Sequence, residues 1–488
     1  MNDRSDAARA RAQRHSLVQA LKGAKLSSED LWLGYFSLGG DAGYLEVDAY
    51  AHGLGELPAL DRDMLAHVVN ERLEQLSWSL RAGYSRVQRD AEERSAPLAA
   101  LVELIDGTHR AAPDRLPEIV DAAGRALGVR LTVYLVDYEQ RFLHPVTGIP
   151  GRTPPDTALD VDTTLPGRAF RTVRILPSDA GEKPRLWVPL LDGTERLGVL
   201  DVGVDDGDEL HDPALRVQCR WVARLLGHLV TGLSAYGDAL QRVRHSAPRT
   251  PAAELIWSLL PPLTAGVENF VVTGVLEPRN DLNGDAFDYA LSDTVAQLLI
   301  LDAAGHDPRS GLIAASAVAA YRSARQAGHG LFEQSRLIDE TLERQFGGSL
   351  FATGVLAELD LRTGRLRYVN AGHPAPLIMR DGRIVKPLAA GKRLPFGLGT
   401  GDLTVGEEIL EPEDWLVLYT DGLIEARDSA GEFFGEARLI DFLRREAAAG
   451  HPPPETARRL IRAVLAHQRG ALQDDATVVL ARWASQQR

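Results

Sequence analysis

Cysteine is nearly absent: Cys219 is the only one in 488 residues, so no disulfide can form within the chain and packing must hold the fold. Cys219 lies in the helix-like stretch ALRVQCRWVARLLGHLV, where a buried, inert thiol is expected. No apolar run approaches the roughly 18 residues of a membrane-spanning helix. The first residues, MNDRSDAARARAQRHS, lack the apolar core of a signal peptide. A cytoplasmic location and no membrane partner are therefore expected. No basic block is long enough to hold nucleic acid, and 54 Lys and Arg against 68 Asp and Glu give a net charge of −14. That balance disfavours polyanionic partners. Internal repeats and low-complexity tracts are missing as well. What is there is an ordinary globular composition, 44% apolar and 25% charged, over a length that suggests roughly three domains.

Residues 1–95 read as a small helical module. Leu65, Val68, Val69, Leu73 and Leu76 recur at helical spacing between Asp61 and Leu80, with acidic residues toward the start. The acids Asp30, Asp41, Glu46 and Asp48 fit no EF-hand spacing. Two roles stay open: an interaction or dimerisation module, and a structural cap on the next domain.

Residues 97–235 change character. A helical pattern through Leu116–Leu127 precedes the strand-like runs RLTVYLVD (130–137) and RFLHPV. RLWVPLL (185–191) and RLGVLDVGV (196–204) flank Asp192-Gly193-Thr194-Glu195, a hairpin signal, and a helix is expected from about Pro213 to Arg244. Helix, hairpin, excursion, hairpin, helix resembles a GAF sensory domain, and DTTLPGRAFRT (162–172) is similar to the segment before that family's second strand pair. The central loop has no cysteine for a linear tetrapyrrole, and no cyclic-nucleotide signature is found. A ligand-free signalling module and a small-molecule pocket both stay open. His144, beside a strand, is expected to be structural rather than a haem or metal ligand.

Residues 236–262 read as a linker helix. Leu225, Leu229, Val230, Leu233, Tyr236, Leu240 and Val243 form an apolar seam at spacings of mostly three or four. The seam suits a parallel stalk in a homodimer or the last helix of the preceding domain packed on its own sheet. Ser246-Ala247-Pro248-Arg249-Thr250-Pro251 interrupts it, and a second helix is expected from near Ala252.

Residues 263–488 are strand-rich. FVVTGVLEP, YALSDTVAQLLILDAAG, DWLVLYTDG and DDATVVLARW read as strands, Gly311–Ala327 as an Ala-rich helix, and hairpins turn at Thr363-Gly364 and Asp381-Gly382. Four aspartates flank the apolar strands: Asp285 in NGDAFDY, Asp302 in LLILDAAGHD, Asp421 in WLVLYTDG and Asp474 in LQDDATVVL. Singly, each is an ordinary turn former. Carboxylates that converge at strand ends need cations or must protonate, and hard oxygen donors favour Mg²⁺ or Mn²⁺ over zinc. The set points to a two-metal hydrolytic site.

Residues 255–483 resemble the SpoIIE/RsbU-like branch of the PPM-type (protein phosphatase 2C-like) serine/threonine phosphatases. The matching pieces are LIWSLLP, NGDAFDY, DAAGHD, FATGVLAELD, VNAGHPAPL, LPFGLG, LVLYTDGLIEARD, FG at 434–435 and DDATVVL. The resemblance implies an α+β chain ending in an αββα sandwich with two Mn²⁺ or Mg²⁺ ions between its sheets. Asp302 would bridge both ions. Asp285 and the backbone carbonyl of Ala303 would complete one site, and Asp421 with Asp474 the other. Asp475 is set aside, since strand alternation turns it away from Asp474. Gly305 and Gly422 would let the backbone pass close to the ions. His306 would either protonate the leaving serine oxygen or only shape its turn, and His373 is expected to be structural.

Two departures stand out: Asn283 where the family commonly has glycine, and Asp307 where it has glycine after the histidine. Neither removes an expected ligand. The implied activity is hydrolysis of phosphoserine or phosphothreonine, with a phosphorylated STAS-type anti-sigma-factor antagonist as substrate in bacterial stress and sigma-factor signalling. An upstream regulator would act at residues 1–235. The alternatives are a pseudophosphatase scaffold and a ligand sensor centred on the GAF-like region.

Overall fold

In a computed structural model, the chain is described over residues 2–75, 96–147, 158–179, 183–245, 250–279, 284–305, 308–348, 350–380, 382–399, 403–470 and 472–484. It divides into two units, Met1–Ser95 and Ala96–Arg488. Among the described residues no helix is long and apolar enough to cross a membrane.

The first unit is four helices: α1 Asn2–Ala24, α2 Ser28–Ser37, α3 Tyr44–Ala51 and α4 Ala59–Gln75. Ser27 and Asp30 form a reciprocal capping box at the start of α2. Leu65, Val69 and Leu73 from the expected helical stripe are buried against Leu17, Leu31, Tyr35 and Val47. Leu76 lies outside the described residues.

The second unit begins with α5 Ala96–Thr108 and α6 Leu116–Leu127, then β1 Arg130–Val136, β2 Phe142–Pro145, β3 Leu159–Asp160 and α7 Leu165–Thr172. It continues through β4 Leu176–Ser178, β5 Arg185–Asp192, β6 Glu195–Gly203, α8 Pro213–Ser234 and α9 Ala239–Arg244. The strands pair antiparallel in the order β3-β2-β1-β6-β5-β4. Alternation divides them cleanly. Leu131, Val133 and Leu135 of β1 face α5, α6 and α8, while Tyr134 and Val136 face Phe170 of α7. The expected hairpin pairs Asp192 with Glu195 around Gly193, whose φ is +58°. Cys219 is buried in the α8 core.

The helix expected from Pro213 to Arg244, and with it a single linker helix from 236, needs correcting. The chain breaks after Ser234 and restarts at Ala239. A Cβ on Gly237 would lie 2.8 Å from Pro113, so glycine lets the chain fold back there. Val230, Leu233 and Leu240 are buried in the core of this same sheet domain. These seam residues form the last helical layer of that domain, while Tyr236 is exposed.

The remainder is a sandwich. After α10 Pro251–Leu259 come β7 Thr264–Val267, β8 Phe270–Glu277, β9 Asp285–Leu291 and β10 Val295–Ala303, then α11 Pro308–Gln326 and α12 Leu331–Phe346. Next are β11 Ala352–Asp360, β12 Arg365–Ala371, β13 Leu377–Arg380, β14 Arg383–Pro387, β15 Lys392–Arg393, β16 Gly406–Ile409 and β17 Trp415–Tyr419. The last elements are α13 Asp421–Ile424, α14 Gly435–Ala448, α15 Pro453–His467 and β18 Ala476–Trp483. One sheet runs β15-β12-β11-β10-β9, with β16 on β12, and the other runs β14-β13-β17-β18-β8-β7. Leu416 and Leu418 of β17 point into the core between the sheets, while Trp415, Val417 and Tyr419 pack toward α14 and α15. Burial on both faces explains why β17 reads as an unbroken apolar run. Of the hairpin turn at Asp381-Gly382, Asp381 lies outside the described residues.

The sheet domain and the sandwich share a polar seam. Arg196 donates to Gln140 Oε1 (3.0 Å), Glu455 Oε2 (3.3 Å) and the Pro454 carbonyl (3.0 Å). Arg458, fully buried, donates to both oxygens of Glu455 (2.8 and 3.0 Å) and to Asp162 Oδ1 (2.6 Å). Nearby, Glu195 accepts the Thr264 amide, and burial pushes its carboxyl up to about 7 despite Arg244 and Arg196.

A raised carboxyl stabilises the fold only while protonated. Its contribution is complete below the ordinary glutamate range and is lost as pH rises through about 7. Chemical denaturation should therefore show stability falling between pH 5 and 8 by up to about 3 kcal/mol from this group. Glu195→Gln should flatten that portion of the slope, and an unaltered pH profile in the variant would refute the assignment.

Candidate metal centre

Strand register builds the first half of the site. Antiparallel pairing sets Asp285, the first residue of β9, directly opposite Asp302 near the end of β10, so both side chains rise from one face of the sheet. On the other side Asp302 pairs with Thr353 of β11. Thr353 Oγ1 is 2.8 Å from His373 Nδ1, and Asn370 Oδ1 accepts the His373 amide at 2.8 Å. Burial drives the imidazole down to about 3, so His373 is a neutral brace behind the strand, as its structural reading expects.

The second sheet supplies the other half. β17 ends at Tyr419, Thr420 precedes α13, and Asp421 begins that helix. Thr420 is fully buried and ties the sheets together. Its Oγ1 donates to Asp285 Oδ2 (2.8 Å) and accepts the Thr477 amide (3.0 Å). Its own amide donates to the Thr477 carbonyl (3.0 Å). A Cβ on Gly422 would stand 2.0 Å from the Asp475 carbonyl oxygen, so only glycine lets α13 press onto the segment before β18. Gly305 has φ +105° and open space around it. Gly284 has a similar task to Gly422: a Cβ there would be 2.8 Å from the Ala303 carbonyl oxygen.

Asp475 requires a correction. β18 begins at Ala476, and Asp474 and Asp475 lie in the bend before it, where strand alternation does not apply. Asp475 is buried and accepts the amides of Arg279 and Gly284, each at 2.8 Å. Asp474 is exposed, and its Oδ1 accepts the Asp475 amide (2.9 Å). Asp475 thus grips the backbone that leads into Asp285. His306, Asn283 and Asp307 lie outside the described residues.

The charges repel. Burial, then Asp421, Asp474 and Asp475, pushes the Asp302 carboxyl up to about 8. Asp285 is held well above the usual carboxylate range by burial and then by Asp302 and Asp475, against the hydrogen bond that Thr420 donates to it. Asp421 is raised by burial, Glu425 and Asp474. Burial lifts Asp475 to about 6, against its amide donors. Among the described residues, the charged groups that act most on Asp302 and Asp285 are all carboxylates.

Among the described residues, no three His, Cys, Asp or Glu side chains are gathered tightly enough to hold an ion by themselves. The donors are all oxygens, the chemistry that hard divalent ions take. The residues fit such ions: Asp285, Asp302, Asp421 and Asp474 would hold them, with the Ala303 carbonyl beside Gly284. Asp475 and Thr420 are the functional residues that sequence reasoning missed. Thr420 carried no signal beyond its place next to Asp421.

Comparison with known proteins places the C-terminal part of the chain among relatives. The family described as Stage II sporulation protein E (SpoIIE) matches residues 292–484. Protein IcfG of Synechocystis is 28% identical over 146 residues, 30% of this chain and 23% of that protein. The phosphoserine phosphatase RsbP of Bacillus subtilis is 29% identical over 154 residues, 30% of this chain and 38% of RsbP. The chain thus spans well under half the length of these relatives. Among solved structures, the RsbU and RsbW domains of a Mycobacterium tuberculosis protein are 28% identical, covering 46% of this chain and 62% of that one, with a TM-score of 0.39. The PP2C domain of SiaA from Pseudomonas aeruginosa is 24% identical, covering 48% and 94%, with a TM-score of 0.42.

Proposed function

We propose, from the match of residues 292–484 to the SpoIIE family, that the chain is a metal-dependent protein phosphatase acting on phosphoserine or phosphothreonine. The observation that carries this reading is the acidic centre itself: carboxylates from four chain segments act on one another across two sheets. When bound, two Mn²⁺ or Mg²⁺ ions would supply positive charge and an acidified water for in-line attack on phosphorus. Water oxygen bonds to phosphorus, the bond from phosphorus to the side-chain oxygen breaks, and that oxygen takes a proton. The chain's own part is placement. Register fixes Asp285 against Asp302, Thr420 fixes Asp285 against the second sheet, and Asp475 holds the entry to β9.

The substrate proposed is a phosphorylated STAS-type anti-sigma-factor antagonist in a cytoplasmic partner-switching pathway, with residues 97–235 as a GAF-like regulatory domain. Similarity to the phosphoserine phosphatase RsbP supports phosphoserine as the group removed. The open spacing of the acids favours one other reading, a scaffold that binds a phosphoprotein without turnover. Phosphate release decides between them. The full chain with Mn²⁺ should liberate phosphate from a phosphoserine-bearing STAS protein, and a chelator should stop it. Tight binding of that protein without any phosphate release would establish the scaffold instead.

A further inference from the structure

The turn between β1 and β2, residues Asp137–Arg141, belongs to the sheet domain but makes its contacts elsewhere. Tyr138 packs against His245 and Trp257, with ring centroids 5.1 and 5.2 Å away, and the Arg244 guanidinium lies 4.3 Å over its ring. Gln140, at φ +52°, holds a left-handed conformation that a non-glycine residue rarely adopts. Its side chain accepts from Arg196 (3.0 Å) and its carbonyl from Arg458 (3.4 Å). Asp137 locks the turn by accepting the Arg141 amide (2.6 Å) and the Phe142 amide (3.1 Å). A turn held this firmly aims one side chain. Arg141 Nη2 donates to Glu277 Oε1.

Glu277 ends β8, where it pairs in register with Ala476, the residue after Asp475. Two residues further on, the Arg279 amide donates to Asp475 Oδ1, and Gly284, just before Asp285, donates to Asp475 Oδ2. One short path therefore runs from Arg141 through Glu277 to the amides that hold Asp475 and on to Asp285. The side chain of Glu277 is only 10% exposed. Without Arg141 it would lose its only hydrogen-bond donor among the described residues, and the end of β8 would have to shift or the carboxyl take up a proton.

We propose that Arg141 is a positioning residue for the acidic centre of the neighbouring domain, setting through Glu277 the segment that carries Asp285. The inference rests on the phosphatase reading for its consequence, but its geometry concerns metal affinity first. Groups that orient metal ligands typically change affinity by roughly 10–100-fold when removed.

The test uses the full chain, Mn²⁺ binding by calorimetry, and Mn²⁺-dependent hydrolysis of p-nitrophenyl phosphate, a probe too small to need a protein docking surface. Arg141→Ala should raise the Mn²⁺ dissociation constant about tenfold or more and raise the Mn²⁺ concentration for half-maximal rate in parallel. Arg141→Lys should recover most of the loss. Glu277→Gln should cause a similar shift, and the double variant should be no worse than either single one. Arg130→Ala, which removes an exposed ion pair with Asp205 in the same domain, should leave both readouts unchanged. An unaltered Mn²⁺ affinity in Arg141→Ala, or additive losses in the double variant, overturns the proposal. If Arg141→Ala does not fold, Arg141→Lys and Glu277→Gln decide by the same criteria. A wild-type chain that binds Mn²⁺ but never hydrolyses the probe defeats the phosphatase reading alone, since the binding constants still judge Arg141.

Discussion

Asp302→Asn reduces Mn²⁺-dependent phosphate release on the order of 10³-fold or more while the chain stays folded. The expectation follows from where Asp302 sits. Asp285 faces it across β9, and Asp421, Asp474 and Asp475 all act on it from the second sheet. It pairs with Asp285 on its own sheet and is acted on by three carboxylates of the other, so its loss removes the charge joining the two halves. The amide keeps the size and shape of the side chain and lowers the repulsion among the remaining acids. Thermal stability without metal should therefore be equal to or above that of the unaltered chain. Added Mn²⁺ should raise the melting temperature of the unaltered chain much more than that of the variant. Phosphate release by the variant within tenfold of the original would sink the metal mechanism. A large drop in metal-free stability would mean that Asp302 is a structural residue.

The largest expected loss of stability comes from the seam. Arg458→Ala leaves Glu455 and Asp162 without the guanidinium that joins them, and Glu455 is buried. Stranding a buried charge outright costs about 3–5 kcal/mol, and the loss here should fall at or below the lower end, because Arg196 still pairs with Glu455 and Arg462 with Asp162. Removing the charges together is a different matter. Arg458→Met with Glu455→Leu exchanges a desolvated network for apolar packing, which is often close to neutral, although Arg196 would lose one of its acceptors. Denaturant unfolding of both variants separates the two ideas. If the double variant loses as much as the single one, the network supplies stability in its own right. If it loses far less, the seam serves mainly to specify how sheet domain and sandwich meet.

Much of the fold is legible in the residues alone, for physical reasons that differ from one element to the next. β17 can be read because burial on both faces removes polar residues from the whole run WLVLY. The β5–β6 hairpin can be read because its turn needs a residue like Gly193 at positive φ. The break at 235–238 is hidden because apolar spacing continues through it. The glycine that permits the fold-back is visible in the sequence, but Pro113, against which it packs, is more than a hundred residues away. Asp475 misleads for a related reason. Alternation does not extend one step before the strand begins, and the amides that claim its oxygens come from Arg279 and Gly284. Long-range hydrogen bonds of that kind leave no periodic trace. Thr420, bonded across both sheets, is the extreme case.

The place of β18 in its sheet bears on how the domain comes into being. It lies between β17 and β8, pairing with both along most of its length, yet it comes after every other strand in sequence. Until it inserts, two neighbouring strands offer bare amide and carbonyl edges, the feature that invites strand exchange between chains. Thr477, which anchors Thr420, arrives with the same strand. A nascent or truncated chain lacking residues beyond Ala476 would be catalytically silent and adhesive at once. Solubility of the full chain against chains truncated before β18 therefore becomes a readout of whether the final strand has closed that gap.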